Sequence, residues 1–222
     1  MVGAVAAELG LAPGAPVLDL GAGTGKLTRA LLDAGFDVVA VEPQESMCAI
    51  LSATVGAERV RAGLAESIPL EPGSVDAVTV ADAFHWFEHA PALTEIERVL
   101  RPRGGLAVLT AVPDWSGASW AHEVGTLLAS LRSGHPLHEG PQWLDHLRQA
   151  QGWTTPREIR VTASQPADPE RVVDYVASIS WMAALPHSER EETLSRVGAL
   201  IAAGETPAEL PLRVAAQLVA LV

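Results

Sequence analysis

Lysine is almost missing from this chain of 222 residues: Lys26 is the only one, and 15 basic residues face 27 acidic ones for a formal net charge of −12. A nucleic-acid surface works by clustering Lys and Arg to displace counterions, so no nucleic-acid partner is expected. Cysteine is equally scarce. Cys48 alone permits no internal disulfide and no thiolate metal site; it falls at a helical start and is expected to be a small core residue. No stretch reaches the roughly 20 apolar residues of a membrane span, so no membrane partner is expected. The opening "MVGAVAAELGLAPGA" has Glu8 and no basic residue, unlike a secretory signal, which makes a cytoplasmic location the expectation. Repeats, charge blocks and low-complexity tracts are also lacking. What is left is the composition of one ordered core with embellishments.

Short runs rich in Val and Leu are present instead: "APVLDLGAG", "FDVVAVEP", "SVDAVTVADA" and "GGLAVLTAV", each bounded by Gly, Pro or Asp. They read as buried parallel strands, with a further one near residues 58–62. Between them, "GKLTRALLDAG", "QESMCAILSATV" and "ALTEIERVLRPRGG" carry apolar residues at helical spacing and end in Gly or Pro. Alternating strands and helices predict an α/β, doubly wound sheet. The rhythm breaks after about residue 112. The Trp-rich stretch over 113–153 reads as helical, "REIRVTASQP" as a strand, "DPERVVDYVASISWMAAL" as a helix capped by Asp168 with Pro169 at its first position, "HSEREETLSRVGALIAAG" as another helix, and the segment from Leu210 as a closing strand. The division expected is a ligand-binding core at 1–112, with a helical elaboration and closing strands of the same domain at 113–222.

"LDLGAGTGK" places glycines at 21, 23 and 25 after the first strand. A dinucleotide fingerprint would have its third glycine at 26, where Lys26 stands, and a Walker loop would need glycine at 20 and Ser or Thr at 27, where Leu20 and Leu27 stand. Neither phosphate cradle is complete. Glu42 ends the second strand, 17 residues beyond Gly25. A carboxylate there can accept both hydroxyls of a ribose and repels a 2′-phosphate. Asp19, two residues before the loop, opposes a pyrophosphate and favours a cationic group. A phosphate-free nucleoside carrying positive charge is indicated.

"VLDLGAGTGKLTRAL", "VVAVEPQESM", "AESIPLEPGSVDAVTVADAFHWF" and "RVLRPRGGLAVL" together resemble, in order and spacing, the successive motifs of class I S-adenosylmethionine-dependent methyltransferases. The likeness is greatest to the type 11 small-molecule enzymes that carry His-Trp-Phe after the fourth strand. The resemblance implies a mostly parallel, seven-stranded Rossmann-like sheet whose last strand is antiparallel, with helices on both faces and a helical elaboration after the fifth strand. It also implies S-adenosyl-L-methionine as cofactor: Gly21, Ala22 and Gly23 under its methionine part, Asp19 near its amino group, Glu42 on the ribose, Pro43 and Gln44 beside the adenine, the Ala65 backbone or Glu66 capping the adenine, and Asp82 directed toward the sulfonium.

Methyl transfer from a sulfonium is an in-line displacement governed by positioning and field, and it demands no metal. A base is needed when the nucleophile arrives protonated. His85 is the catalytic candidate, because an imidazole titrates near neutrality; a packing histidine beside Trp86 and Phe87 is the competing reading. The His85 to His89 spacing could bind zinc on a helix, but with no Cys nearby no metal site is expected. His135 and His138 read as solvated loop residues. Trp115, Trp120, Trp143, Trp153 and Trp181 suit either the wall of a pocket for an apolar, small-molecule acceptor or helix packing. The expectation is a methyltransferase for a small molecule, monomeric or homodimeric; the alternative is a cofactor-binding protein of the same fold without methyl transfer.

Overall fold

The computed structural model describes residues 1–117, 119–131, 143–183, 185–203 and 209–222. In chain order the elements are α1 Val2–Glu8, β1 Pro16–Leu20, α2 Lys26–Asp33, β2 Asp37–Glu42, α3 Glu45–Val55, β3 Val60–Ala62, β4 Val75–Ala81, α4 His89–Val99 and β5 Leu100–Pro113. They continue with α5 Ser119–Leu131, α6 Trp143–Gln149, β6 Arg157–Pro166, α7 Pro169–Ser178, α8 Ser180–Ala183, α9 His187–Ala203 and β7 Glu209–Ala220. The seven strands form one sheet in the order β3-β2-β1-β4-β5-β7-β6, with β7 antiparallel. This is the α/β architecture that the alternation of strands and helices and the motif resemblance pointed to.

The inner strands are parallel, with Leu18 of β1 opposite Val39 of β2 and Val78 of β4. Helices cover both faces, so these strands are apolar almost without interruption. Alternation along β1 sends Leu18 and Leu20 into the cluster with Ile96 of α4 and Trp143 of α6, and Val17 into the opposite cluster with Leu31 of α2. The same alternation turns Asp19 toward the α2 side. After β1 the chain winds outward through β2 and β3, then returns to place β4 on the other flank of β1. Strand order reverses at that point, and the crevice at the carboxyl ends of β1 and β4 is where such sheets take ligands.

The chain divides into two compact units. One comprises Met1–Ala111, Pro141–Val161 and Val214–Val222; the other comprises Val112–Gly140 and Thr162–Arg213. The second has its own core, in which Trp120 and Val124 of α5 meet Val172 and Val176 of α7, Trp181 and Met182 of α8, and Val197 and Ile201 of α9. Asp168 caps α7 by accepting the Arg171 N–H at 2.8 Å, a contact worth about 1 kcal/mol in typical helices.

Several elements differ from expectation. The helix opened by Asp168 stops at Ser178, because Ile179 turns extended and starts the short α8; Ile and Ser favour helix only weakly. The α4 helix ends at Val99 and β5 begins at Leu100, ahead of the two glycines, since Pro102 disfavours helical backbone in the residue before it. Helix α1, with Val5 buried, had no counterpart in the sequence reading. Cys48 is half-buried rather than a core residue: its thiol donates to the Glu42 carbonyl at 3.1 Å. His135 and His138 lie outside the described residues.

Candidate active site

The glycine loop leaves β1 through backbone that only glycine adopts readily. Gly21 has φ +69°, and a Cβ there would stand 2.7 Å from the Ala83 Cβ, closer than two carbons can pack. Gly23, at φ +57°, has no atom within 4 Å of where its Cβ would be. Gly21 is therefore pressed against the chain that follows β4, while Gly23 faces open space. The Gly21 and Ala22 amides both donate to the Val41 carbonyl, at 2.8 and 3.1 Å, which ties the loop to the end of β2.

Glu42 completes that tie. Its carboxylate accepts the Gly23 N–H at 2.9 Å on one oxygen and the Gln44 N–H at 3.0 Å on the other. The side chain is only 4% exposed, and two amides hold it rigidly in place, leaving each oxygen a further lone pair to offer. Pro43 and Gln44 are exposed beside it.

Asp19 is buried more deeply, at 1% exposure. The Thr28 hydroxyl of α2 donates to its Oδ2 at 2.6 Å. Burial raises its carboxyl from the ordinary 3.8 to about 6, against the lowering effect of the Thr28 hydroxyl and amide and of the Thr79 hydroxyl; the nearby charge of Glu42 adds to the rise. Asp19 thus braces the loop against α2. Sequence reading passed over Thr28, although a polar residue between Leu27 and Leu31 on an otherwise apolar helix face was a usable signal.

Two further loops stand at the same edge. After β3, Ala65 is buried and the Glu66 carboxylate accepts the Glu88 N–H at 2.8 Å, joining this loop to the one after β4. After β4, Asp82 is exposed with φ +50°. Its Oδ1 accepts the Ala111 N–H at 3.1 Å, and its pKa is raised because partial desolvation outweighs that amide and the charge of Lys26.

The His-Trp-Phe segment sorts its rings by burial. Phe84 is the anchor at 1% exposure, with Phe87 and Trp143 both 5.5 Å away between ring centroids. His85 is half-buried with its pKa lowered by desolvation. Trp86, 4.8 Å from His85, is 70% exposed. His89 turns elsewhere, stacking on His146 at 4.4 Å, so the two histidines of the motif do not converge. Of the tryptophans read as either a pocket wall or helix packing, Trp120, Trp143 and Trp181 are core residues and Trp115 and Trp153 are half-buried. Trp86, which sequence reading used only as a neighbour of His85, is the one that meets solvent broadly.

Known proteins show which family the chain belongs to. A family model described as a methyltransferase domain matches residues 18–108. An uncharacterised methyltransferase of Mycobacterium tuberculosis is 40% identical over 186 residues, covering 84% of this chain and 73% of that protein. Another from Schizosaccharomyces pombe is 32% identical over 186 residues, covering 83% and 73%. Among solved structures, a protein assigned as a methyltransferase of an antibiotic biosynthesis pathway in Anabaena variabilis matches with a TM-score of 0.63 at 26% identity, over 97% of this chain and 95% of that one. At 40% identity over most of both chains, the chain belongs to the type 11 methyltransferase family.

Proposed function

We propose that the chain transfers the methyl group of S-adenosyl-L-methionine to a small-molecule acceptor. The observation that carries this is Glu42: a buried carboxylate at the end of β2, immobilised by the Gly23 and Gln44 amides, beside the open space above Gly23. A preorganised bidentate acceptor next to an uncovered loop suits a ribose diol, and the absence of a complete phosphate cradle fits a nucleoside without phosphates. Gly21, Ala22 and Gly23 would hold the methionine part and Glu42 the ribose. Pro43, Gln44, Ala65 and Glu66 would border the adenine, with Asp19 acting behind the loop and Asp82 at its far side. When bound, the cofactor supplies an electrophilic methyl on a sulfonium sulfur.

His85 is the residue we assign to proton removal from the acceptor. Burial lowers its pKa, which keeps a ring nitrogen free to accept a proton at neutral pH.

Titration calorimetry with S-adenosylhomocysteine tests the cofactor assignment. Binding in the micromolar range is expected, weakened at least about tenfold in Glu42→Ala, in line with the loss of hydrogen bonds to a charged group. No binding below millimolar, or affinity indifferent to Glu42→Ala, overturns it. For His85, the His85→Gln variant is expected to lose most activity and the acid limb of its pH profile; a loss below threefold with an unchanged profile returns the residue to packing.

A further inference from the structure

The segment that carries His85 is held from behind by two histidines. His89, the first residue of α4, stacks on His146 of α6 with ring centroids 4.4 Å and planes 23° apart. Its ring also lies 5.3 Å from that of Phe84, the buried anchor of the segment, and Trp143 meets the same Phe84 edge-on at 5.5 Å. Trp143 and His146 stand at i and i+3 on α6 and so project from one face of it, and both helices belong to the same compact unit. Backbone donors tie the segment down as well. The Trp86 amide donates to the Ala83 carbonyl at 2.9 Å, the Phe87 amide to the Phe84 carbonyl at 3.2 Å, and the Glu88 amide to the Glu66 carboxylate at 2.8 Å.

The stack suits neutral rings only. The Phe84 backbone accepts from the His89 ring, while Nε2 is sealed from solvent with no hydrogen-bond partner among the described residues. A neutral imidazole protonated on Nδ1 leaves that nitrogen a bare acceptor. A second proton turns it into a buried, charged donor with nothing to receive it, a costlier state. The amino end of α4 adds its own positive partial charge at the same place. Carboxylates do not compensate. Glu88 is exposed beside His89, and Glu66 is committed to the Glu88 amide. Glu95 and Arg98 of α4 pair with each other at 2.7 Å, Asp145 and Arg148 of α6 pair at 2.9 Å, and Glu97 lines a cleft alongside His146. Among the described residues no ion pair includes either ring. Desolvation, and after it the charge on His146, accordingly lower the His89 pKa. His146 is exposed and takes its proton from solvent.

We propose that the His89–His146 stack positions the segment bearing His85 and Trp86, and that acid releases it by charging two rings that face each other at 4.4 Å. The inference rests on the assignment of His85 to the acceptor above. At neutral pH the pair clamps α6 and Phe84 against the start of α4, which holds His85 in place. As pH falls through the range of about 5 to 8 in which imidazoles gain charge, repulsion parts the rings and the first turn of α4 loosens. The site then loses the alignment that in-line displacement requires.

Amide hydrogen exchange of the full chain tests this, read by mass spectrometry over residues 84–89 at about pH 7.5 and pH 5 and corrected for the intrinsic effect of pH on exchange. Protection in the native protein is expected to drop about tenfold or more between the two conditions. His146→Phe, which stacks without charge, is expected to keep its protection at both, and His146→Ala, which removes the stack, to be poorly protected at both. His85→Gln is expected to retain the native pH dependence. Thermal unfolding of each variant checks that the fold is retained. Equal protection of the native segment at both pH values overturns the proposal, and so does native-like protection of His146→Ala at the higher one. A pH dependence that survives in His146→Phe also overturns it, as would be found if Asp19, with its pKa of about 6, drove the change; one that vanishes in His85→Gln transfers the switch to His85 and overturns it as well. Because exchange reads the segment and not turnover, failure of the stack is distinguished from failure of the His85 assignment, which shows as undiminished activity in His85→Gln.

Discussion

The two flanks of the glycine loop are built on different principles. On the β2 side and at the base of the loop, Glu42 and Asp19 are sunk below the surface and occupied by the protein's own donors: Gly23 and Gln44 amides for one, Thr28 for the other. On the β4 side, Asp82, His85 and Trp86 are exposed or half-buried. The first flank spends its acids on holding the backbone still. The second keeps its polar groups available. In the proposed reading, the rigid β2 side holds the ribose in one pose, and the exposed Trp86 and half-buried His85 of the β4 side are left to meet the acceptor.

The most damaging change lies where the flanks meet. Gly21→Val forces a side chain into the Ala83 Cβ at a positive φ, and the cost is expected to be about 3 kcal/mol or more, read as a lowered denaturation midpoint with loss of S-adenosylhomocysteine binding. A variant as stable as the native protein would show that loop and β4 segment are not pressed together.

The next largest effect concerns pH and the buried acid. Because the folded protein holds the Asp19 proton up to about 6 while the ordinary value is 3.8, the native state binds more protons than the unfolded chain across that interval. Stability contributed by the protonated form is therefore complete below about 4 and is lost as pH rises through about 6. Between pH 4.5 and 7.5, native stability should fall by about 2 kcal/mol from this group, and Asp19→Asn should remove that slope in denaturant titrations. Identical slopes in both proteins would mean that the carboxyl is solvated.

Smaller effects sharpen the contrast. Gly23→Ala meets no atom and has only the positive φ to overcome, so a cost of about 1 kcal/mol is expected, well below that of Gly21→Val. Trp86→Ala, at a 70% exposed site, should change stability by less than about 0.5 kcal/mol while altering activity toward an acceptor. A large stability loss in Trp86→Ala would make that ring part of the core and contradict the open character of its flank.

Much of the fold could be read from the chain because its signals are local and redundant. Continuous apolar runs such as "VLDL" and "DAVTV" mark strands covered on both faces, and Asp168 with Pro169 announces the start of α7. The β4–β5 junction was less readable. Val99 and Leu100 are apolar in either state, and only their packing on the sheet decides between helix and strand. The tryptophans were ambiguous for a related reason: aromatic rings mark a core and a binding wall alike, and only burial separated Trp120 and Trp181 from Trp86.

By itself the sequence determined the order of strands and helices, the position of the loop between β1 and α2, and the presence of Glu42 at the end of the second strand, since backbone conformation and apolar periodicity act over short distances. Only the tertiary structure decided what each charged group is free to do. Asp19 and Asp82 are the same residue type at the ends of neighbouring strands; one is sealed beneath the loop with Thr28 and the other stands open after β4, bonded to the Ala111 amide. That difference depends on which groups from distant parts of the chain pack against each carboxyl, and desolvation is a property of the assembled surroundings rather than of the residue.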